Sequence, residues 1–239
     1  GFGVPVLVLG DPAQLPPVGG GGFFTGQKPD VMLDEIHRQA RDNPIIDLAT
    51  RVRNRQRLEE GEYGTSTVAR GADRDLVMAA DQILVGTNRK RRRCNAQMRK
   101  LLGHPTDDPM PVVGEKLVCL QNDHEAGLLN GTLWNVEASR PSDEYDNRYD
   151  FELTGESGEQ VMCDAHQAHF AGTDDKMPYW ELRDAQCFDY GYALTTHKAQ
   201  GSQWEKVFVF NESGCFKSSA MNWLYTAITR ASEEVHICN

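Results

Sequence analysis

Tyr190–Phe210, YGYALTTHKAQGSQWEKVFVF, is the stretch that decides the fold. Tyr192–Thr196 and Lys206–Phe210 are short runs of apolar, β-branched and aromatic residues, the composition a sheet interior requires. Between them a polar turn gathers His197, Lys198, Gln200 and Gly201, next to Thr195 and Thr196. Open α/β sheets bind their ligands at the edge where strands hand over to such turns. Hydroxyls and an imidazole donate hydrogen bonds and Lys198 adds charge, a set suited to a phosphate backbone. On local grounds alone, a solvated loop between two buried strands fits these residues equally well.

Working outward, the 239 residues are 25% charged and 39% hydrophobic, ordinary for a soluble globular protein. No apolar run approaches a membrane span and no signal-peptide pattern is present, so no membrane partner is expected. The opening GFGVPVLVLG leads directly into an apolar strand, which implies that the sequence starts inside a domain. Six cysteines (94, 119, 163, 187, 215, 238) include no C-x-x-C pair, a spacing that argues for reduced thiols and a cytoplasmic protein. Cys163, His166 and His169 stand three apart and could face one metal from a helix. No fourth ligand lies nearby, and no metal site is assigned.

The net charge of −10 would disfavour a nucleic-acid partner if it were evenly spread. It is not. Gln82–Thr106 holds no acid but carries Arg89, Lys90, Arg91, Arg92, Arg93, Arg99 and Lys100, whereas Asp143–Asp184 has twelve acids against three bases. A polyanion can therefore meet the first segment while the second faces away.

Taken in order, Pro5–Leu9 is a continuous apolar run that fits a central parallel strand. Gln14 follows on a loop stiffened by Pro16-Pro17, and a Gln amide so placed can orient a water or touch a terminal phosphate. Gly19–Gly22 reads as a hinge. Asn43 and Pro44 start a helix in which Ile45, Leu48, Ala49 and Val52 form the buried face. Gln82–Gly86 is a buried strand, followed by Thr87, Asn88 and a basic helix to Leu102, closed by Gly103. The basic run is either a solvated face or a backbone-contacting one.

From Pro109 to Met177 the texture changes. Lys116–Leu120, Thr132–Ala138, Phe151–Leu153 and Gln160–Cys163 read as strands, with Asn130-Gly131 as a hairpin turn. Together they suggest a small barrel, with Trp134 in its core. Ser218 or Ser219 then starts a helix to Ala231, with Met221, Leu224, Tyr225 and Ile228 on one face. Arg230 lies at its end, beside the strand Val235–Ile237. An arginine there is ordinarily a surface residue with a carboxylate partner.

THKAQGSQW resembles motif V of superfamily 1 helicases in the form of the RecD-like and Dda-like branch. LYTAITRA (224–231) resembles motif VI, LGDPAQLPPV (9–18) motif III, and EIHRQA (35–40) motif IV. The segment GEKLVCLQNDHEAGLLNGTLWNV resembles the SH3-like insert of RecD-like helicases, departing from it at Trp134-Asn135. The resemblance implies an α/β, RecA-like (P-loop NTPase type) parallel-sheet domain with an inserted small SH3-like β-barrel. Residues 1–22 would end a first RecA-like domain, 23–108 and 179–239 would form the second, and 109–178 the insert.

It also implies roles. Gln14, Arg38 and Arg230 would be catalytic and would contact nucleotide with Gly201 and Gln203, the last weakly because the family commonly has Glu there. Thr87, Asn88, Thr195, Thr196 and His197 would grip DNA. ATP and Mg²⁺ are the implied cofactors, yet G-x-x-x-x-G-K-[ST] occurs nowhere in the chain. The acidic metal-binding motif that the family places upstream of motif III is absent too. Both cofactors would then be held mainly by an N-terminal RecA-like domain, a partner along with single-stranded DNA and ss/ds junctions. The implied activity is 5′–3′ translocation and duplex unwinding, with no ATP hydrolysis by these residues alone. A non-catalytic DNA-binding or scaffold module derived from a helicase is the alternative, disfavoured because a scaffold needs no nucleotide contacts. A related viral RNA helicase fits the HKAQGS wording and the insert less well.

Overall fold

The computed structural model describes residues 3, 5–16, 29–32 and 43–239. The glycine run Gly19–Gly22, the motif IV segment EIHRQA and Arg38 lie outside the described residues. The chain divides into two units, Gly1–Thr87 with Thr195–Asn239, and Asn88–Leu194.

The first unit holds strands β1 (Gly61–Tyr63), β2 (Ser66–Ala69), β3 (Gln82–Val85), β9 (Ala193–Thr195), β10 (Trp204–Phe210) and β11 (Ala231–Cys238), the chain re-entering the unit in the course of β9. They make one sheet in the order β1-β2-β11-β10-β3-β9. The pairs β2·β11, β11·β10 and β10·β3 are parallel, with Phe208 opposite both His236 and Ile83. β3 is buried at every position, and Val207, Phe208 and Val209 of β10 are buried too. Burial that is apolar from Ile83 to Val85 and from Val207 to Val209 is what a parallel strand covered on both faces demands.

Two helices of this unit pack on each other, Pro44–Arg53 and Ala220–Ile228. The first begins as the sequence foretells: Asn43 Oδ1 accepts from the Ile45 amide at 2.8 Å, and Ile45, Leu48, Ala49 and Val52 are its buried residues. The second differs. It starts at Ala220 after a 3₁₀ segment, Ser213–Ser219, and buries Trp223, Leu224, Thr226, Ala227 and Ile228. Met221 and Tyr225 are only half-buried. Trp223 is fully buried and stacks on Phe216, ring centroids 5.5 Å apart and planes within 11°, a larger apolar contact than Met221 offers.

Pro5–Leu9 is not in a strand. Val6, Leu7 and Leu9 are 82%, 83% and 83% exposed, because among the described residues no strand runs alongside them.

The second unit contains the basic helix Asn88–Leu101 and five antiparallel strands: β4 (Lys116–Cys119), β5 (Leu133–Pro141), β6 (Arg148–Gly155), β7 (Gln160–His166) and β8 (Phe188–Tyr190). Their order is β7-β6-β5-β4-β8, and a single bridge, Ala165 to Gln186, joins β7 to the chain just ahead of β8. This unit is wider at both ends than residues 109–178. β8 pairs with β4 through Leu117 and Tyr190, and Asn95 of the helix donates to the Tyr190 carbonyl at 2.7 Å. Trp134 is a core residue, buried with Leu117, Val136, Phe151, Phe170 and Phe188. Phe170 sits at the centre, its ring 5.5–6.1 Å from those of Tyr190, Phe151 and Tyr149. Gly191 is required by close approach: a Cβ there would lie 2.9 Å from the Leu117 carbonyl carbon, inside any tolerated contact.

Candidate functional site

Arg230 stands at the turn after the helix Ala220–Ile228. It is 9% exposed, not a surface residue. Its Nε donates to the Thr226 carbonyl at 3.1 Å, Nη1 to the Ser202 carbonyl at 3.0 Å and Nη2 to the Thr229 hydroxyl at 3.3 Å. Among the described residues no carboxylate pairs with it. Burial pulls its pKa down, opposed by Tyr225. A desolvated guanidinium held only by neutral oxygens is an uncompensated cation, and an arriving anion relieves it.

Around it lie other residues singled out in the sequence. Ser202 belongs to the turn of Gly201, whose φ of +90° suits glycine. Gln203, Arg53, Thr50, Tyr225 and Thr229 line a cavity of about 290 Å³ floored by Ile45, Ile46 and Ala49. Gln14 sits on a tight turn, its amide donating to the Asp11 carbonyl at 3.1 Å. That turn is fastened to the Arg230 helix: the Leu15 amide donates to Thr226 Oγ1 at 2.8 Å and Tyr225 Oη to Asp11 Oδ2 at 2.8 Å. Thr226 of this helix thus contacts both Leu15, the neighbour of Gln14, and Arg230.

The residues expected to grip DNA divide. Thr196 is fully buried, with its amide donating to the Val85 carbonyl at 2.9 Å and its hydroxyl to the same oxygen at 3.4 Å. It holds β3 and presents no side chain to a ligand. Thr87 is half-buried, its amide and hydroxyl donating to Glu212 at 2.9 and 3.1 Å, while the Gly86 amide reaches the same carboxylate at 2.8 Å. Thr195 is partly exposed and Asn88, first residue of the basic helix, exposed. His197 is half-buried beside Phe216, ring centroids 5.5 Å apart, and burial lowers its pKa, so the imidazole is neutral at pH 7 and hydrogen-bonds without charge.

The basic helix divides as well. Arg91 pairs with Asp189 at 2.5 Å, Arg92 with Asp174 at 2.9 Å and Arg99 with Glu115 at 2.8 Å. Arg89, Arg93 and Lys100 are exposed, spaced along one face of the helix, and pair with no carboxylate among the described residues. This is the stripe available to a phosphate backbone.

Cys163, His166 and His169 do not make a metal centre. His166 Nδ1 caps the short helix Gln167–Ala171 by accepting from the Ala168 amide at 3.1 Å. Burial pushes the Cys163 thiol up to about 12.

Sequence reasoning missed Asn222, Thr226 and Glu212. The polar positions 222, 225 and 226 fall on one helical face by spacing, a signal that was legible but hidden under Met221 and Leu224. Nothing local announces Glu212.

Residues 190–238, from the end of β8 to the end of β11, match the UvrD-like helicase C-terminal domain. The ATP-dependent RecD2 DNA helicase of Deinococcus radiodurans is 27% identical over a 257-residue alignment, covering 97% of this chain and 32% of that protein. The chain thus spans about a third of that relative's length. An uncharacterised Methanocaldococcus jannaschii protein, MJ1519, is 39% identical over 54 residues, 23% of this chain and 5% of the other. The crystal structure of Pif1 helicase from Candida albicans superposes with a TM-score of 0.51 at 17% identity, covering 86% of this chain and 55% of Pif1. With the mixed α/β order and the parallel sheet, that likeness fits a RecA-like fold.

Proposed function

We infer that this chain, a C-terminal part of a superfamily 1 helicase, is the arginine-bearing and strand-gripping half of an ATP-driven DNA motor. One observation carries the reading: the buried Arg230 guanidinium, held by neutral oxygens with no carboxylate partner among the described residues, at the turn that follows the helix holding the Gln14 turn. Such a cation suits the charge that builds on a transferring phosphoryl group. ATP supplies the free energy; Arg230 stabilises that charge, Gln14 lies beside the terminal phosphate, and Gln203 and Gly201 border the nucleotide. Arg38 adds a second cation by resemblance alone.

The P-loop and the Mg²⁺ ligands belong to a first RecA-like domain, and residues 1–22 are its last part. The exposed apolar run Val6–Leu9 supports this, since three side chains above 80% exposed form an apolar surface that calls for a partner. Asn88, Thr195 and His197 hold single-stranded DNA, joined by Thr87 once it exchanges Glu212 for a phosphate. Thr196 acts behind them by fixing β3. Residues 109–178, within the second unit, are read as the SH3-like insert, and movement is read as 5′ to 3′.

The test is ATP turnover and strand displacement on tailed duplexes. The full-length protein is expected to hydrolyse ATP when single-stranded DNA is added and to unwind 5′-tailed substrates, while the 239 residues alone turn over no ATP. Turnover by these residues in pure form, or a full-length protein that binds DNA without hydrolysing ATP, would sink the reading.

The exposed stripe gives a separate expectation. Arg93→Ala should weaken single-strand binding and reduce the slope of log K against log salt by about 0.7, the value for one lost phosphate contact. Fluorescence anisotropy across a salt series measures it. An unchanged slope removes the stripe from the DNA path.

A further inference from the structure

The turn that carries Gln14 is grasped by its main chain. Asn222 Nδ2 points into three successive carbonyls, those of Pro12 at 3.2 Å, Ala13 at 3.1 Å and Gln14 at 3.2 Å. Four residues further along the same helix, Thr226 Oγ1 accepts from the Leu15 amide at 2.8 Å. Between them Tyr225 donates to Asp11 Oδ2, and that carboxylate's other oxygen accepts from the Ala13 amide at 2.9 Å. From the neighbouring turn, Gln200 Nε2 donates to the Leu15 carbonyl at 2.9 Å. Positions 222, 225 and 226 share a helical face, so one face meets every residue of the turn from Asp11 to Leu15.

Thr226 also faces the other way. Its hydroxyl oxygen holds Leu15 while its carbonyl holds Arg230 Nε at 3.1 Å. A shift of the turn therefore pulls on the residue that orients the guanidinium. We propose that Asn222 and Thr226 are positioning residues that lock the Gln14 turn to the Arg230 helix, so that phosphate sensing and arginine placement occur as one event. The proposal rests on the motor reading for its consequence, although the clamp itself is a property of this chain.

The chemistry selects the test. An amide donor facing three carbonyls cannot be replaced by a carboxylate of equal size, because Asn222→Asp sets an anion against three acceptors. Asn222→Asp is therefore expected to be at least as damaging as Asn222→Ala, whereas a space-filling role would leave Asp equivalent to Asn. In the full-length protein, hydrogen exchange at the Gln14 and Leu15 amides should speed up about tenfold or more, with β10 and β11 amides unchanged. DNA-stimulated kcat should fall about tenfold, with KM for ATP within about twofold.

Thr226→Val, which keeps the shape and loses the acceptor, should reproduce both effects. Thr226→Ser, which restores the hydroxyl, should reverse them. This pair answers the case in which an Asn222 variant fails to fold. Unchanged exchange at residues 14 and 15 in Asn222→Asp overturns the clamp. Faster exchange with normal kcat overturns the coupling and leaves the motor reading standing. Absence of turnover in the wild-type full-length protein overturns the motor reading, and the coupling with it, while the exchange result still decides the clamp.

Discussion

Arg230→Met in the full-length protein should lower DNA-stimulated ATP turnover by about 10³–10⁵-fold, the range spanned by arginines that stabilise phosphoryl transfer. Thermal stability should stay within about 1 kcal/mol of wild type, because two opposing effects are of similar size. Three hydrogen bonds, to the Thr226 and Ser202 carbonyls and the Thr229 hydroxyl, are lost. Against that, the guanidinium of a residue 9% exposed, with no counter-ion among the described residues, no longer has to be desolvated, a penalty of several kcal/mol. An arginine retained only for structure would show the reverse, a large fall in stability and unimpaired turnover in the surviving folded fraction. Arg230→Lys should not rescue, since one ammonium cannot keep three acceptors and still offer a planar fork to phosphate. Phosphate release and the thermal midpoint, measured on the same preparations, separate the two accounts.

Much of this site was written in local sequence. Asn43-Pro44 sets a helix start because the side chain and the missing amide both answer unsatisfied backbone groups there, and the helix begins where they stand. QILV becomes a central strand because four buried residues leave it nowhere else to go. Gly103 ends the basic helix with φ +80°, a geometry that glycine adopts without penalty.

What stayed hidden depends on long-range partners. Arg91, Arg92 and Arg99 look like their neighbours in the sequence, yet carboxylates at 189, 174 and 115 claim them. Thr87 reads as a phosphate ligand until Glu212, 125 residues away, takes its hydroxyl and amide. The Val6–Leu9 run shows the converse: an apolar strand pattern specifies that a sheet is needed, and supplies none of its other strands.

Glu115→Ala should destabilise the second unit by about 3–5 kcal/mol, the cost of leaving one member of a buried pair alone. Glu115 is 0% exposed. It accepts from Arg99 Nε and Nη2 at 2.8 and 3.1 Å, from the Val112 amide at 2.9 Å and from Tyr192 Oη at 3.1 Å. Removing it strands a guanidinium that is otherwise held by the Asp108 and Met110 carbonyls at 3.2 and 3.1 Å, over the Tyr190 ring at 4.5 Å. The double variant Glu115→Leu, Arg99→Met should recover much of the loss, because no charge remains to be desolvated. Urea denaturation of Glu115→Leu, Arg99→Met and the double variant measures that coupling, and additive losses would show that the pair does not act as a unit. The same experiment sorts the basic helix. Arg99→Ala should lower stability and leave the salt slope of DNA binding alone, whereas Arg93→Ala, six residues nearer the amino end, should do the opposite.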